Sequence, residues 1–166
     1  MKELVIKQLK EKEIIKYGHF TLKSGRTSKY YINLRESINY PSLFHNIITL
    51  LSDEVKKIKP DTLLGISYTG IPLATGVSLR TGIPFCYNVK EKKEYGIPSK
   101  IIGKPEGNVL AIDDLITSGT SFLETIEGIE NVSGLLVLIN RDEGGKENLE
   151  KANFKLHSII QKNEIL

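Results

Sequence analysis

Two adjacent acids, Asp113 and Asp114, stand just before a run of small residues at 117–120, and these side chains are the ones best suited to chemistry. Ionised carboxylates only accept hydrogen bonds, so they suit the hydroxyls of a vicinal diol. Consecutive backbone N–H groups beside hydroxyl side chains suit a phosphate, and Gly119 lets the backbone curl closely around it. A diol next to a phosphate indicates ribose 5-phosphate. A carboxylate under the sugar could also stabilise positive charge that develops at the anomeric carbon.

The surrounding elements place these residues at the end of a strand. Residues 109–112 are all apolar, which predicts a buried strand, and the hydroxyl residues predict the start of a helix. Backbone N–H groups collect at such a junction, and an anion binds there. The alternative is a buried strand followed by a solvated acid pair and a Ser/Thr N-cap, which is common in α/β proteins. The acids by themselves favour that alternative.

The complete string over 109–121 resembles the phosphoribosyl diphosphate signature of type I phosphoribosyltransferases: an apolar run, Asp-Asp, two apolar residues and Thr-Ser-Gly-Thr. The resemblance implies that this string binds the activated sugar and that its two acids act in catalysis. By the same resemblance the residues that contact the sugar and its phosphates are Asp113, Asp114, Leu115, Ile116, Thr117, Ser118, Gly119, Thr120 and Ser121.

Length and composition bound the class of protein. The chain has 166 residues, 40% of them hydrophobic, which suffices for one domain with a single core. A formal net charge of +3 is modest and does not imply nucleic acid as a partner. The first residues carry charges where a signal peptide needs an apolar core, and no apolar run is long enough to span a membrane. We therefore expect a cytoplasmic protein without a membrane partner. The single cysteine, Cys86, stands among apolar residues, which predicts a core position.

Strand and helix patterns alternate along most of the chain. The alternation predicts an α/β fold, an open and mainly parallel sheet flanked by helices, with a site along its carboxyl edge. We expect a single domain over 1–166, with a small N-terminal hood over about 1–40 and a core over about 41–166. The patterns predict helices at 2–17, 41–57 and 121–130, a hairpin at 18–34, and further strands at 62–66, 84–89, 134–139 and 154–160.

The hairpin carries candidates for holding a planar anionic base. Lys23 could meet the carboxylate of the base, and Tyr30 and Tyr31 could cover its ring. A solvated lysine beside cross-strand tyrosines is the alternative from residue types alone. The phrase Phe-Thr-Leu-Lys-Ser-Gly, followed by Ser-Lys-Tyr-Tyr, resembles the N-terminal segment of orotate phosphoribosyltransferases. That resemblance implies that orotate is the base and that these three residues bind it together with Thr117.

A second loop is a candidate for binding an anion. The strand predicted at 62–66 turns into a helix near Pro72, and free N–H groups of Tyr68, Thr69 and Gly70 could hold a diphosphate there. A simple turn from strand to helix explains the same residues equally well. The resemblance makes this the diphosphate loop, although many members of the family carry a lysine where this chain has Thr69.

Residues 90–104 predict a long charged loop, which is either a solvated surface segment or a lid. The segment resembles the catalytic lid of orotate phosphoribosyltransferases, which closes over the site of the neighbouring subunit. The resemblance implies a homodimer in which Lys93 acts in catalysis, Lys90 contacts the diphosphate and Tyr95 also lines the site. Val89 stands where the family usually has an arginine, and Tyr95 stands where bacterial members often have a histidine.

Arg141 follows the apolar strand predicted at 134–139. An arginine at the carboxyl end of a buried strand could grip a carboxylate or a dicarbonyl edge in bidentate fashion. An ion pair with Asp142 or Glu143 is the alternative, and residue types do not decide between them. The family resemblance assigns Arg141 to orotate.

These resemblances together imply transfer of the 5-phosphoribosyl group from phosphoribosyl diphosphate to orotate. The products would be orotidine 5′-monophosphate and diphosphate, a step of pyrimidine synthesis. Mg²⁺ would be held mainly by the substrate, with no protein residue predicted as a metal ligand. One alternative is a phosphoribosyltransferase for a purine or for uracil, which has no need of Lys23 and Arg141. The other is a nucleic-acid-binding regulator that senses phosphoribosyl diphosphate.

Overall fold

The computed structural model describes residues 1–21, 25, 27–89 and 100–166, which form two compact units, Met1–Ile47 and Ile48–Leu166. The division falls inside one continuous helix, α2 (Pro41–Ile58), whose first turns belong to the first unit. The hood expected over about 1–40 falls within the first unit, which extends further to Ile47.

The first unit consists of α1 (Lys2–Glu11), an antiparallel hairpin of β1 (Ile15–Thr21) and β2 (Thr27–Ile32), a 3-10 helix (Leu34–Asn39) and the start of α2. The hairpin confirms the prediction. The prediction of a helix that runs to Tyr17 is wrong, because Glu13 takes a φ of 53° and turns the chain out of the helix. The Ile14 N–H then donates to the Leu9 carbonyl at 3.0 Å, and the strand begins directly afterwards.

A six-stranded sheet forms the second unit. Its order is β5-β4-β3-β6-β7-β8, and β5 alone runs antiparallel to its neighbour. The mainly parallel sheet predicted from the alternation of elements is confirmed. The strands are β3 (Thr62–Gly65), β4 (Phe85–Asn88), β5 (Ile101–Ile102), β6 (Val109–Ile116), β7 (Val132–Asn140) and β8 (Lys155–Gln161).

Three further helices follow three of the strands: α3 (Gly70–Thr81), α4 (Thr120–Thr125) and α5 (Gly145–Lys151). The helix predicted at 121–130 is wrong in its length, because Gly128 and Asn131 take positive φ values beyond the end of α4. The patterns do not predict helix α5. Part of the loop expected at 90–104 is also wrong, since β5 lies within it. No helix among the described residues combines the length and the apolar content needed to cross a membrane.

The core of the second unit is apolar on both faces of the sheet, as expected for parallel strands covered by helices. On one face Phe122 of α4 meets Phe154 edge-on, with ring centroids 5.3 Å apart, in a cluster that includes Leu149 of α5. Cys86 belongs to this cluster, which confirms its predicted core position. Burial raises the pKa of the Cys86 thiol to about 11, so it stays protonated at neutral pH.

The strand order creates a crevice at the carboxyl edge of the sheet. From β3 the chain passes through α3 to β4 on one side, and from β6 it passes through α4 to β7 on the other. Ligands bind in open α/β sheets where the connections of neighbouring strands diverge in this way. The predicted sugar and diphosphate loops follow these two strands.

Candidate active site

Asp113 and Asp114 lie inside β6, beyond the end of the neighbouring strand. Gly65, the last residue of β3, pairs with Ile112, so the acids begin where β3 stops. The expectation that the strand ends before the acids is wrong, because β6 continues to Ile116 along β7. Both acids are partly exposed, since β3 no longer covers that side of β6.

The two carboxylates are held by the backbone directly after them. Successive side chains of a strand point to opposite faces, so Asp113 and Asp114 project from opposite sides of β6. The Asp114 N–H donates to Asp113 Oδ1, and the Leu115 N–H donates to Asp114 Oδ1, each at 2.8 Å. These bonds fix the orientation of each carboxylate beside its own backbone. The end of β6 therefore presents one carboxylate on each face of the sheet.

The loop between β6 and α4 turns at Gly119. Gly119 takes a φ of 81°, a left-handed conformation that glycine adopts without strain. The hydroxyls of Ser118 and Thr120 lie 2.9 Å apart, and both side chains face solvent at least partly. Ile116 is only 3% exposed, so its predicted contact with a ligand is restricted to its backbone. The first N–H groups of α4 have no acceptor inside the helix.

One of the three backbone N–H groups that the sequence offers for an anion in the loop at 67–70 is already hydrogen-bonded. The Gly70 N–H donates to the Ile66 carbonyl at 2.8 Å, so the expectation that this N–H is free is wrong. Its Cα packs against the Ile112 carbonyl oxygen, where a Cβ would collide with the backbone. Thr69 is 6% exposed, whereas Tyr68 is 58% exposed. The peptide bond between Ser67 and Tyr68 is cis.

A cavity of about 360 Å³ opens beside this loop. The Ser67 N–H donates to Asn88 Oδ1 at 2.6 Å, which ties the loop to the end of β4. Sequence reasoning missed Asn88, although a polar residue at the carboxyl end of a buried strand is a usable signal. The cavity is lined by Ile66, Ser67, Asn88, Val89, Lys100, Ser121, Glu124 and Thr125.

Arg141 follows β7 and is 8% exposed. Its Nη2 lies 2.8 Å from Oε1 of Glu143, so the ion pair considered as an alternative is present in the structure. A buried guanidinium needs such compensation because its desolvation is costly. The Arg141 N–H donates to the Ile116 carbonyl at 3.1 Å, which places Arg141 next to the sugar loop.

The candidate base-binding residues of the first unit differ in accessibility. Tyr30 is 6% exposed and Tyr31 is 41% exposed, because neighbouring residues of β2 face opposite sides. The Tyr31 ring lies 5.7 Å from that of Phe20. Among the predicted residues, Lys23, Lys90, Lys93 and Tyr95 lie outside the described residues.

A carboxylate at the sheet edge fits a magnesium ion that a substrate holds with its own phosphates. Mg²⁺ is commonly held by one or two carboxylates together with substrate phosphates and water. Asp113 and Asp114 supply two partly exposed carboxylates at this edge. Over 1–21, 25, 27–89 and 100–166, no group of three or more His, Cys, Asp or Glu side chains could hold a metal ion by itself.

Comparison with known proteins gives consistent matches. The phosphoribosyl transferase domain family matches residues 36–164. The orotate phosphoribosyltransferase of Methanosarcina acetivorans is 34% identical, covering 99% of this chain and 91% of that protein. The orotate phosphoribosyltransferase of Pyrococcus furiosus is 35% identical, covering 99% and 95%.

A solved structure shares the fold. The crystal structure of orotate phosphoribosyltransferase from Aeropyrum pernix superposes with a TM-score of 0.87 at 31% identity, covering 98% of this chain and 96% of that chain. The open, mainly parallel sheet with flanking helices is therefore the type I phosphoribosyltransferase fold.

Proposed function

The chain belongs to the phosphoribosyl transferase domain family, and from that premise we propose that it is an orotate phosphoribosyltransferase of pyrimidine biosynthesis. It transfers the 5-phosphoribosyl group from phosphoribosyl diphosphate to orotate, giving orotidine 5′-monophosphate and diphosphate. Relatives of that name cover nearly the whole chain at about one-third identity. The enzyme is thus a pentosyltransferase.

One arrangement of residues carries this proposal for the sugar. Asp113 and Asp114 stand at the exposed end of β6, and the loop at 117–119 comes next within the same strand-to-helix connection. A ribose over the acids would therefore have its 5′-phosphate at the loop and its anomeric carbon toward the loop at 67–70. The hydroxyls of Thr117, Ser118, Thr120 and Ser121 and the backbone of Leu115 and Ile116 complete the contacts that we propose.

The chemical step needs positioning and charge stabilisation. Orotate N1 loses its proton and bonds to the anomeric carbon while the C1–O bond to diphosphate breaks. The diphosphate leaves with the electron pair of that bond, and the proton passes to the diphosphate or to solvent. Positive character on the sugar is greatest when the breaking bond is long, and the carboxylates of Asp113 and Asp114 stabilise it at that moment. Holding both reactants in line accounts for much of the rate.

The diphosphate meets fewer protein cations than in many relatives. Thr69 and Val89 bring no charge to it, so Tyr68 and Thr69 contribute mainly polar and backbone contacts, with Gly70 shaping the turn. We assign Lys90, Lys93 and Tyr95 to a lid over the site, with Lys93 neutralising the departing diphosphate. A closed lid excludes water that would hydrolyse the activated sugar.

Orotate is recognised by charge and by flat surfaces. We assign its contacts to Lys23, Tyr30, Tyr31, Thr117 and Arg141, with Tyr31 offering the more accessible ring. Because Glu143 lies against Arg141, the guanidinium is neutralised locally and offers donors in a fixed direction. The carboxylate of orotate then depends on Lys23 for its counter-charge.

Three further properties belong to this proposal. Mg²⁺, held mainly by the substrate, would neutralise charge on the leaving group. The active unit is a homodimer in which each lid serves the neighbouring site. The enzyme works in the cytoplasm and needs neither a nucleic acid nor a membrane.

A competition assay tests the base and the class of protein together. Purified protein receives phosphoribosyl diphosphate and Mg²⁺ with equal orotate, uracil and hypoxanthine, and nucleotide products are resolved by chromatography. We expect orotidine 5′-monophosphate at least about 100-fold in excess, because a site built to pair a charged group strongly rejects analogues that lack it. A dominant uracil or hypoxanthine product would assign another base. No product, with salt-sensitive RNA binding instead, would indicate the regulator.

A further inference from the structure

The loop at 117–119 rests on α5, the helix that sequence patterns missed. The Gly145 Cα lies so close to the Thr117 carbonyl oxygen that a Cβ there would stand 2.5 Å from it. Asn148 Nδ2 donates to the Ser118 carbonyl oxygen at 2.9 Å. Leu149 is fully buried, and its Cδ1 would be 2.5 Å from a Cβ at Gly119. Three successive loop residues are thus supported by one helix.

These contacts set the direction of the N–H groups of the loop. A peptide unit is planar and trans, so its C=O and N–H point in opposite directions. The Ser118 carbonyl points toward Asn148, and the Gly119 N–H of the same peptide unit therefore points away from α5. The Ser118 N–H points away from α5 in the same manner, because the Thr117 carbonyl faces Gly145.

We propose that Asn148 is a positioning residue of this loop, fixing the Ser118 carbonyl so that the Gly119 N–H is presented to the 5′-phosphate. The proposal rests on the proposed function, in which the loop binds that phosphate. Gly145 and Leu149 limit how close the loop comes to α5, whereas the hydrogen bond from Asn148 constrains its orientation. An anion-binding turn depends on orientation, since its donors must converge on one point.

The position of Asn148 separates this role from a role in folding. Its side chain is exposed, so its removal sacrifices little buried surface. Its backbone N–H donates to the Gly144 carbonyl at 3.0 Å, which holds the start of α5 without the side chain. The apolar anchor of α5 is Leu149. A variant at 148 should therefore fold normally and hold the loop less firmly.

The test uses two variants and a matched control in the full chain. Asn148→Leu keeps the size of the side chain without a donor, and Asn148→Gln keeps an amide donor. Lys151→Gln changes an exposed residue of the same helix and is the control. Calorimetric titration gives the Kd of ribose 5-phosphate, and steady-state kinetics give the KM of phosphoribosyl diphosphate and of orotate, the latter at saturating co-substrate. Thermal unfolding checks the fold.

We expect Asn148→Leu to raise the Kd of ribose 5-phosphate and the KM of phosphoribosyl diphosphate about 5-fold, the usual effect of one hydrogen bond. The KM of orotate and the midpoint of thermal unfolding should match the control. Asn148→Gln should recover at least half of the loss. If Asn148 served only to stabilise the fold, Asn148→Leu would lower the midpoint of thermal unfolding. Its KM for phosphoribosyl diphosphate would then not rise relative to its KM for orotate.

Other outcomes are distinguishable. If wild-type protein binds ribose 5-phosphate and Asn148→Leu binds it within twofold of Lys151→Gln, the proposal for Asn148 is overturned while the proposed function stands. A parallel rise of both KM values would overturn it too. If wild-type protein binds no ribose 5-phosphate, the sugar site itself is misplaced and both proposals fall. The titration needs no turnover, so the role of Asn148 can hold even if the base is not orotate.

Discussion

The side-chain orientations of Asp113 and Asp114 are each fixed by the peptide unit that follows. Each carboxylate accepts the N–H of the residue after it, so its orientation is fixed before any ligand arrives. Preorganised charge costs no reorganisation during the reaction, which is the main reason that such groups accelerate it. An asparagine at either position keeps an oxygen that can accept the same N–H, so it isolates the role of the charge.

We expect Asp113→Asn and Asp114→Asn each to lower kcat about 100-fold, because loss of one preorganised stabilising group commonly has an effect of this size. Initial rates of orotate consumption at saturating substrates measure it. Asp53→Asn, at an exposed position on α2, is the matched control. If both variants turn over within threefold of that control, the acids take no part in the chemistry.

Cys86 allows a prediction about pH. Burial raises its pKa from 9.0 to about 11, so the folded protein holds the thiol proton more tightly than the unfolded chain does. The stability that this contributes is complete below pH 9 and is lost as the pH rises toward 11, because the unfolded chain releases its proton first. Denaturant unfolding of wild type and of Cys86→Ala between pH 7.5 and 10.5 measures the difference. Wild type should lose stability relative to the variant, and parallel curves would contradict the assignment.

At the scale of single residues, the sequence predicts features that depend on one property of one side chain. Cys86 is buried because its neighbours are apolar, and Gly119 takes a left-handed φ because the turn requires one. The sequence does not predict which donors are already engaged. The Gly70 N–H is used inside its own turn, and Arg141 has Glu143 beside it. Both facts depend on distances that residue types do not supply.

At the scale of elements, the strands that carry the site were predictable because parallel strands buried on both faces are continuous apolar runs. The apolar stretches at 63–64 in β3, 109–112 in β6 and 135–139 in β7 obey this rule. Helix ends were less predictable. A positive φ at Glu13 ends α1 although glutamate usually favours a helix. Helix α5 buries only a few of its residues, so its sequence shows no apolar periodicity. Its lysine and glutamate residues, which favour helices, were the only remaining indication of a helix there.

The junction of β3 and α3 permits a test at this scale. A Cβ at Gly70 would collide with the Ile112 carbonyl oxygen, a backbone atom of β6 that cannot move alone. We expect Gly70→Ala to lower the free energy of unfolding by about 2 kcal/mol. The KM of phosphoribosyl diphosphate should also rise, because the turn at 67–70 must shift. Denaturant unfolding and steady-state kinetics measure the two effects.

Gly76→Ala in the same helix is the control for that variant. The atoms nearest to its added methyl group belong to the side chain of Ile48 and not to the backbone, so they can shift more easily. The loss of stability should be smaller, since alanine also favours the helix by about 1 kcal/mol over glycine. If both variants lost the same free energy of unfolding, the close contact between Gly70 and β6 would not be the reason that position 70 needs glycine.

For the molecule as a whole, the alternation of strands and helices was enough to predict the fold class. The division between Ile47 and Ile48 was not predictable, because α2 reads as one uninterrupted amphipathic helix. The base and lid contacts that we propose depend on the family resemblance, because several of those residues lie outside the described ones. The residues proposed for the sugar, in contrast, lie together in the observed connection from β6 to α4.

The lid that we propose to be shared between subunits can be tested with mixed dimers. Lys93→Ala and Asp114→Asn chains carrying different tags are co-expressed, and the hybrid is purified through both tags. If each lid serves the neighbouring site, one site of the hybrid carries both defects and the other carries none. We then expect about half of the wild-type activity per dimer. If the lid serves its own subunit, every site carries one defect, and the hybrid is as inactive as its parents.

The pairing of β4 with β5 bears on how much the sequence between these two strands can vary in evolution. The Val89 N–H donates to the Lys100 carbonyl at 2.8 Å, so the chain leaves and re-enters the sheet at adjacent backbone positions. The backbone hydrogen bond that closes this stem involves neither side chain, so it does not depend on which residues the chain carries between positions 89 and 100. Because the closure entropy of a segment rises only slowly with its length, about 0.6 kcal/mol for a doubling, insertions between these two positions are expected to cost the sheet little stability.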